Sequence, residues 1–353
     1  INLYNNRLKF DGQSVISKLN ENKNGYGHSY ELSYSDKIKS QINMFNNSII
    51  EFWANYEQFS KDFDINNVGY LVRNNSKKVH VGLAFTNTNP SDQIIEKTFN
   101  IQTIYSLNMD DIDLIKDISL NWEINLKKYW NIELSYLKSF EHYNDWLVGG
   151  TDNMLTQNSI IIKQPESDEI NISFGSSPIK AWFFNSEILY FSDKINNYGG
   201  KYVINLVYKP TTSFNIDLSY SLYDYKNKYH FLKIRQSIPD PPPPPPPSGS
   251  ITREDDSEKY YFSNSNILEK QIEMLISAYL EENINIQIFV RYFNYFNNYQ
   301  DYYYRLDNNY EYPSVTESIS NEQKESDMLL YGTVFSSLEL NYIFKWELKR
   351  RAN

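Results

Sequence analysis

The chain has 353 residues, no cysteine and a formal net charge of −10. Disulfides and thiolate metal sites are therefore excluded, and the scatter of Lys and Arg argues against nucleic acid as the main partner. No run of about 18 apolar residues occurs, which excludes a membrane-spanning helix.

A mean hydropathy of −0.60 would ordinarily describe a soluble protein. A β-barrel escapes that test, because half of every strand faces a polar interior. Aromatic residues make up 16% of the chain, with 31 Tyr against 12 Gly. That excess suits strands and interfacial girdles better than helices, although Asn, Ile, Lys and Tyr are all abundant as in AT-rich genomes. The first residue is Ile1 and no signal peptide is visible, so the chain is read as a fragment or a processed product.

Apolar and polar residues alternate with a period of two along most of the chain. Ile118, Leu120, Trp122, Ile124 and Leu126 alternate with Asp117, Ser119, Asn121, Glu123 and Asn125. Phe214, Ile216, Leu218, Tyr220 and Leu222 alternate with Asn215, Asp217, Ser219 and Ser221. The pattern returns at 272–280, where the opposite face is more mixed, at 284–292 and at 338–346. Helical periodicity is scarce. The expectation is an all-β chain of roughly fifteen strands, many of about 9–15 residues, whereas globular strands cluster near ~5–6 and bilayer-crossing strands need ~9–11.

Short turns are expected at Asp11-Gly12, Asn46-Asn47, 87–92, Lys127-Lys128, 175–178, 209–212 and Glu281-Glu282. Longer connections are expected at 21–27, 59–76, 142–154, 193–200, about 226–261 and about 298–330, with 108–111 the one short exception among them. Alternation of short and long connections is the habit of up-and-down outer-membrane barrels, not of Greek-key sandwiches. Seven consecutive prolines, Pro241 to Pro247, would form a stiff rod of roughly 20 Å at ~3.1 Å per residue. The stretch 237–261 is read as a Pro-rich low-complexity loop insertion, with a ligand for a proline-recognition domain as the rival reading.

Sites of chemistry are sparse. His28, His80, His142 and His230 have no metal-ligand spacing, and no metal or other cofactor is expected. "NMDDID" at 108–113 is acidic but lacks the EF-hand spacing, and is read as a solvated turn. No nucleophile elbow, phosphate loop or dinucleotide fingerprint is present. Carboxylates on polar strand faces include Asp117, Glu123, Glu133, Asp217, Glu273 and Glu339, with Arg291 and Lys345 as possible partners. In a barrel they would line a hydrated lumen. In a glycosidase two of them would face each other across a cleft.

Several strings resemble a bacterial family known as domain of unknown function 5916. They are "DFDINNVGYLVRNN" (62–75), "NDWLVGGTDNML" (144–155), "KYYFSNSN" (259–266), "ENINIQIFVRYF" (282–293) and the terminal "LELNYIFKWELKRRAN". The family pattern of the first string falls on Phe63, Asp64, Asn66, Asn67, Gly69, Tyr70 and Arg73. Gly69 would permit a positive φ or close backbone approach, and Arg73 would clamp a carboxylate or carbonyls to fix the loop. In the second string Gly149 and Gly150 match, while Thr151 stands where the family has Pro. At the end the match is Trp346-Glu347, after which the family continues with a further strand.

The resemblance implies the barrel part of proteins that carry an N-terminal carbohydrate-binding-like sandwich ahead of an outer-membrane barrel. The expectation is one partial, antiparallel up-and-down transmembrane β-barrel over 1–353, incomplete at both ends and lodged in the bacterial outer-membrane bilayer. It would act as an anchor or conduit for saccharides or other small solutes, with Tyr208, Phe214 and Trp130 in its interfacial girdles. The rivals are a saccharide hydrolase using lumen or loop carboxylates and a soluble β-sandwich binding module.

Overall fold

The structure is a computed structural model that describes residues 2–3, 7–20, 23–38, 47–63, 73–89, 91–144, 162–235, 259–279, 284–305 and 333–346. The strands are β1 (Asn2–Leu3), β2 (Leu8–Asn20), β3 (Lys23–Ile38), β4 (Ser48–Phe59), β5 (Ser76–Asn87) and β6 (Ile94–Leu107). Then come β7 (Asp113–Leu126), β8 (Trp130–Ser139), β9 (His142–Asn144), β10 (Ile162–Gln164), β11 (Ser167–Gly175) and β12 (Trp182–Asp193). The last are β13 (Tyr198–Thr211), β14 (Phe214–Arg235), β15 (Lys259–Tyr279), β16 (Ile284–Arg305) and β17 (Thr333–Trp346). No helix occurs among the described residues.

Fifteen strands form one antiparallel sheet in chain order, interrupted only where β9 and β10 pair with each other as a separate ribbon. Every neighbour is thus the next strand in sequence, the up-and-down order the alternation predicts. A Greek-key sandwich would exchange neighbours between two sheets, so the sandwich alternative does not describe this topology. Among the described residues β1–β2 and β17 are the two edges, and no pairing joins them.

The pleat sorts the side chains. Register places Trp122 beside Phe99 and Leu134, then Leu134 beside Ile172, Ile172 beside Ile188 and Ile188 beside Tyr202. Further on, Leu206, Leu218, Met274, Val290 and Leu340 make another row on the same face. Most of these apolar side chains are exposed, with Ile172 at 45% and Ile188 at 47% in the middle of the sheet, while Phe99, Met274 and Val290 are half-buried. The opposite face carries Ser, Asn, Glu and Arg at half-buried positions. Only four apolar side chains (Phe63, Ala84, Leu114 and Ile267) are buried among the described residues, against eleven polar ones. A water-soluble fold inverts that ratio, because apolar burial is its main driving force.

Aromatic side chains border the apolar face. At one border Trp130 packs on Phe174 and Phe184, with ring centroids 5.1 and 5.9 Å apart, and Trp182 stacks on Tyr208 at 4.0 Å. Phe214 stands in the adjoining row. In the middle of β3, on the same apolar face, Tyr30 stacks between Phe10 and Tyr56 at 6.3 and 6.4 Å.

Connections are sorted by end, with several boundary corrections, among them β14 and β16 running on to Arg235 and Arg305 through stretches expected as connections. Asp11-Gly12 is no turn but lies inside β2, where Gly12 leaves room for the Tyr30 ring, since a Cβ there would meet Tyr30 Cδ1 at 2.8 Å. The expected long connections at 21–27 and 193–200 are tight, because β3 starts at Lys23 and Asp193 Oδ1 accepts the backbone N–H groups of Ile195 and Asn197 at 3.0 and 2.9 Å. The Pro-rich insertion joins β14 to β15, whose strand already begins at Lys259; the rest of it lies outside the described residues. All connections from 60–75 to 306–332 that exceed nine residues leave the same end of the sheet, the end that also carries 108–112.

Gly82 on the polar face lies directly opposite Trp53, whose ring covers it. A Cβ at 82 would sit 2.0 Å from Trp53 Cζ2. Gly82→Ala is expected to destabilise the fold by about 1–3 kcal/mol through overpacking, and Trp53→Ala in the same chain should recover part of that loss. Denaturant unfolding of the single and double variants measures both.

Candidate functional site

The half-buried polar face is where this sheet concentrates its chemistry. One row runs across eight strands as Asn131, Gly175, Asn185, Asn205, Ser219, Glu273, Arg291 and Glu339. The next row holds Thr98, Glu123, Glu133, Ser173 and Glu187. A third begins Asn100, Asn121, Ser135 and Asn171. Each residue is there because it occupies the polar phase of a period-2 strand.

The structure brings several expected residues together. Arg291 bridges two strands, donating from Nε to Glu273 Oε1 at 2.7 Å and from Nη1 to Glu339 Oε2 at 3.2 Å. Glu123 and Glu133 stand directly opposite each other on β7 and β8. Glu123 accepts from Asn125 Nδ2 at 3.0 Å and Glu133 from Ser173 Oγ at 3.5 Å, both neutral donors. No cation of the described residues pairs with either carboxylate. Asp217 accepts from Asn215 Nδ2 at 2.7 Å. Asp117, opposite Ile104 and Ser139, has an Oδ1 without a protein partner.

Lys345 is not recruited: its register partner is Asn285, and it makes no ion pair among the described residues. The face also contains an ion pair that alternation alone did not single out. Lys201 Nζ lies 2.9 Å from Glu187 Oε2, and Asn171 Nδ2 donates to Glu187 Oε1 at 3.3 Å. Neither strand segment has a clean polar phase, since Leu189 and Val203 share that side. The pairing depends on register rather than on local pattern.

Of the residues carried by the first family string, Phe63 and Arg73 are described, while Asp64, Asn66 and Gly69 lie outside the described residues, as do Gly149 and Gly150. Phe63 is 2% exposed and stacks on Phe59 at 5.4 Å. It folds back over β3, where a Cβ at Gly25 would lie 2.3 Å from Phe63 Cα and one at Gly27 would lie 2.8 Å from Phe63 Cζ. Gly25 and Gly27 share the polar face of β3, so the Gly-Tyr-Gly spacing is the signal that a neighbouring segment lies against that strand. Ser60 ties the foot of this connection to β3: its Oγ accepts from Tyr26 N and its N–H donates to Tyr26 O, both at 2.9 Å. Arg73 stands at the other foot, and nearby Asn74 Nδ2 donates to Lys61 O at 2.9 Å.

The acidic turn 108–112 is stitched rather than open. Asn108 Oδ1 accepts from the N–H groups of Asp110 and Ile112 at 2.9 and 3.0 Å. Asp110 pairs with Lys61 and Asp111 with Lys77, each at 2.7 Å, so the carboxylates diverge toward separate cations. At the same end Glu166 lies between Lys138, at 2.6 Å, and Lys194. Hydrogen bonds from Lys138 first, and then from Lys194, hold its carboxyl below the ordinary carboxylate range. His28 and His80 contact Ser14 and Gln102, and His142 contacts the Phe140 carbonyl. Among the described residues no group of His, Asp or Glu could hold a metal ion.

These features define an all-β, up-and-down protein with an exposed apolar face and a half-buried polar face. The chain belongs to the family described as "Domain of unknown function (DUF5916)", whose pattern matches residues 1–351. Comparison with curated proteins and with solved structures gives no match.

Arg291→Gln leaves Glu273 and Glu339 without their shared cation. A small loss of stability is expected, modest because all three side chains remain partly exposed to solvent screening. Adding Glu339→Gln should reduce the coupling in a double-mutant cycle measured by denaturant unfolding.

Proposed function

We propose that this chain forms a transmembrane barrel of the bacterial outer membrane that serves as anchor and conduit for small hydrophilic solutes. The observation that carries the reading is the inversion of burial: aliphatic and aromatic side chains stay exposed while Glu, Asn and Ser line the half-buried face. Lipid is the solvent that suits such an exposed face. On β14 the apolar phase runs from Phe214 to Leu222, about 27 Å along a strand and roughly 21 Å in height at a ~40° tilt. That height is close to the ~25 Å apolar band of outer-membrane barrels, and the aromatic border around Trp130, Trp182 and Tyr208 corresponds to one of their girdles.

Hydrocarbon does not tolerate an unpaired sheet edge. β2 and β17 run in opposite directions by their order in the sheet, and both carry apolar residues on the same side. Antiparallel joining of the two edges, directly or through further strands, therefore closes the sheet around the polar face. The end with the longer connections would face the cell exterior by the habit of this architecture. Coupling to a carbohydrate-binding-like domain is what the family resemblance adds.

The hydrolase reading has less support. A glycosidase sets its two carboxylates on either side of the scissile bond. Glu123 and Glu133 instead project side by side from adjacent strands.

Two measurements test the proposal. The protein, extracted in detergent from the membrane fraction, should migrate faster on a gel before boiling than after; a soluble protein with no boiling-dependent shift overturns the barrel. Because the chain has no cysteine, Ser219→Cys and Leu218→Cys provide unique labels on opposite faces. In membranes Ser219→Cys should react with a water-soluble maleimide and Leu218→Cys should not, and equal labelling would count against a lipid-facing apolar side.

A further inference from the structure

Charge on the polar face is predominantly negative. Following the register from β2 to β17, carboxylates outnumber cationic side chains on that face by about two to one. On β13 to β16 Lys201 is engaged by Glu187 and Arg291 by Glu273 and Glu339, while Lys228 lies over the Tyr225 ring. Glu123 and Glu133 are left adjacent, directly opposite in register, with neutral hydrogen-bond donors only. Carbon positions in such a pair lie about 5 Å apart, so the two charges reinforce one field.

A second, independent feature has the same sign. Each buried side-chain atom on the polar strand face that has no protein partner is an oxygen, as at Asn100, Asp117, Asn121 and Asn171. Asn297, only 4% exposed, presents its carbonyl oxygen on this face in the same condition. The face therefore has acceptors to spare. Solutes that complement it carry positive charge or donate hydrogen bonds, and a hydrated cation does both through its water shell.

We infer that the conduit is selective for small hydrophilic cations over anions, with Glu123 and Glu133 as the residues that set the preference. The inference rests on the conduit reading. Its physical basis is the field of a polar surface bounded by low-dielectric walls, which raises the local concentration of counter-ions and excludes ions of like sign. Glu187, neutralised by Lys201, adds little to that field.

The test uses the whole protein reconstituted in a planar lipid bilayer with a KCl gradient. The reversal potential should have the sign of a cation-selective path, with K⁺ favoured over Cl⁻ by about threefold or more, and the ratio should shrink at 1 M salt as the field is screened. Glu123→Gln with Glu133→Gln should lower that permeability ratio by about twofold or more, provided the boiling-dependent gel shift is retained. Glu187→Gln removes one negative charge and leaves Lys201 unpaired, and should lower the ratio by less than the double variant, which removes two. A ratio near one, anion preference, or a double variant that keeps the full cation preference overturns the selectivity inference and leaves the conduit reading standing. A folded, membrane-inserted protein with no conductance at all overturns the conduit and the selectivity together, while leaving the barrel itself in place.

Discussion

The continuous antiparallel ladder is the constraint on which everything else in this molecule depends. It satisfies the backbone hydrogen-bonding groups between strands and forces successive side chains to opposite faces. One residue of slippage between two strands would carry a whole apolar phase to the polar side. The register is therefore held through direct pairs such as Leu218 beside Leu206 and Met274, or Ser219 beside Asn205 and Glu273. The apolar face, its aromatic border and the acidic polar face all follow from keeping that phase from β2 to β17.

The ends of the sheet use different physics from its middle. At the end with the longer connections, turns are fixed by side-chain caps and ion pairs: Asn108 and Asp193 gather backbone N–H groups, while Asp110 takes Lys61 from the connection after β4 and Asp111 takes Lys77 from β5. Residues at positive φ there and elsewhere are mostly Asn and Asp, including Asn75, Asp111 and Asn196. Their short polar side chains tolerate the left-handed region. Glycine serves another purpose in this fold. Gly25, Gly27 and Gly82 lie in strands, on the polar face, where the Phe63 segment or the Trp53 ring fills the space a side chain would occupy.

Local chemistry made much of the fold legible. Alternation at 117–126, 214–222, 272–280, 284–292 and 338–346 fixed strand type and the division into two faces, because the two-residue period is a property of the single strand. It also placed Asp117, Glu123, Glu133, Asp217 and Arg291 on the polar side. Boundaries were less legible. Asp11-Gly12 has the composition of a turn, yet β2 runs through it because Tyr30 on the next strand covers the glycine. The segment 193–200 looks like a loop by composition, yet the Asp193 cap closes it in a few residues.

What the sequence by itself determined is strand type, strand order and the chemistry of each face, since period, turn spacing and charge are local quantities. It also determined the absence of disulfides, because there is no cysteine to form one. Tertiary structure alone decided which charges meet. Arg291 joins Glu273 and Glu339 across three strands, Lys201 goes to Glu187, and Glu123 is set beside Glu133 without a cation. Those partners are separated by ten to forty-eight residues in the chain, and only the register of each strand pair brings them within a few ångströms.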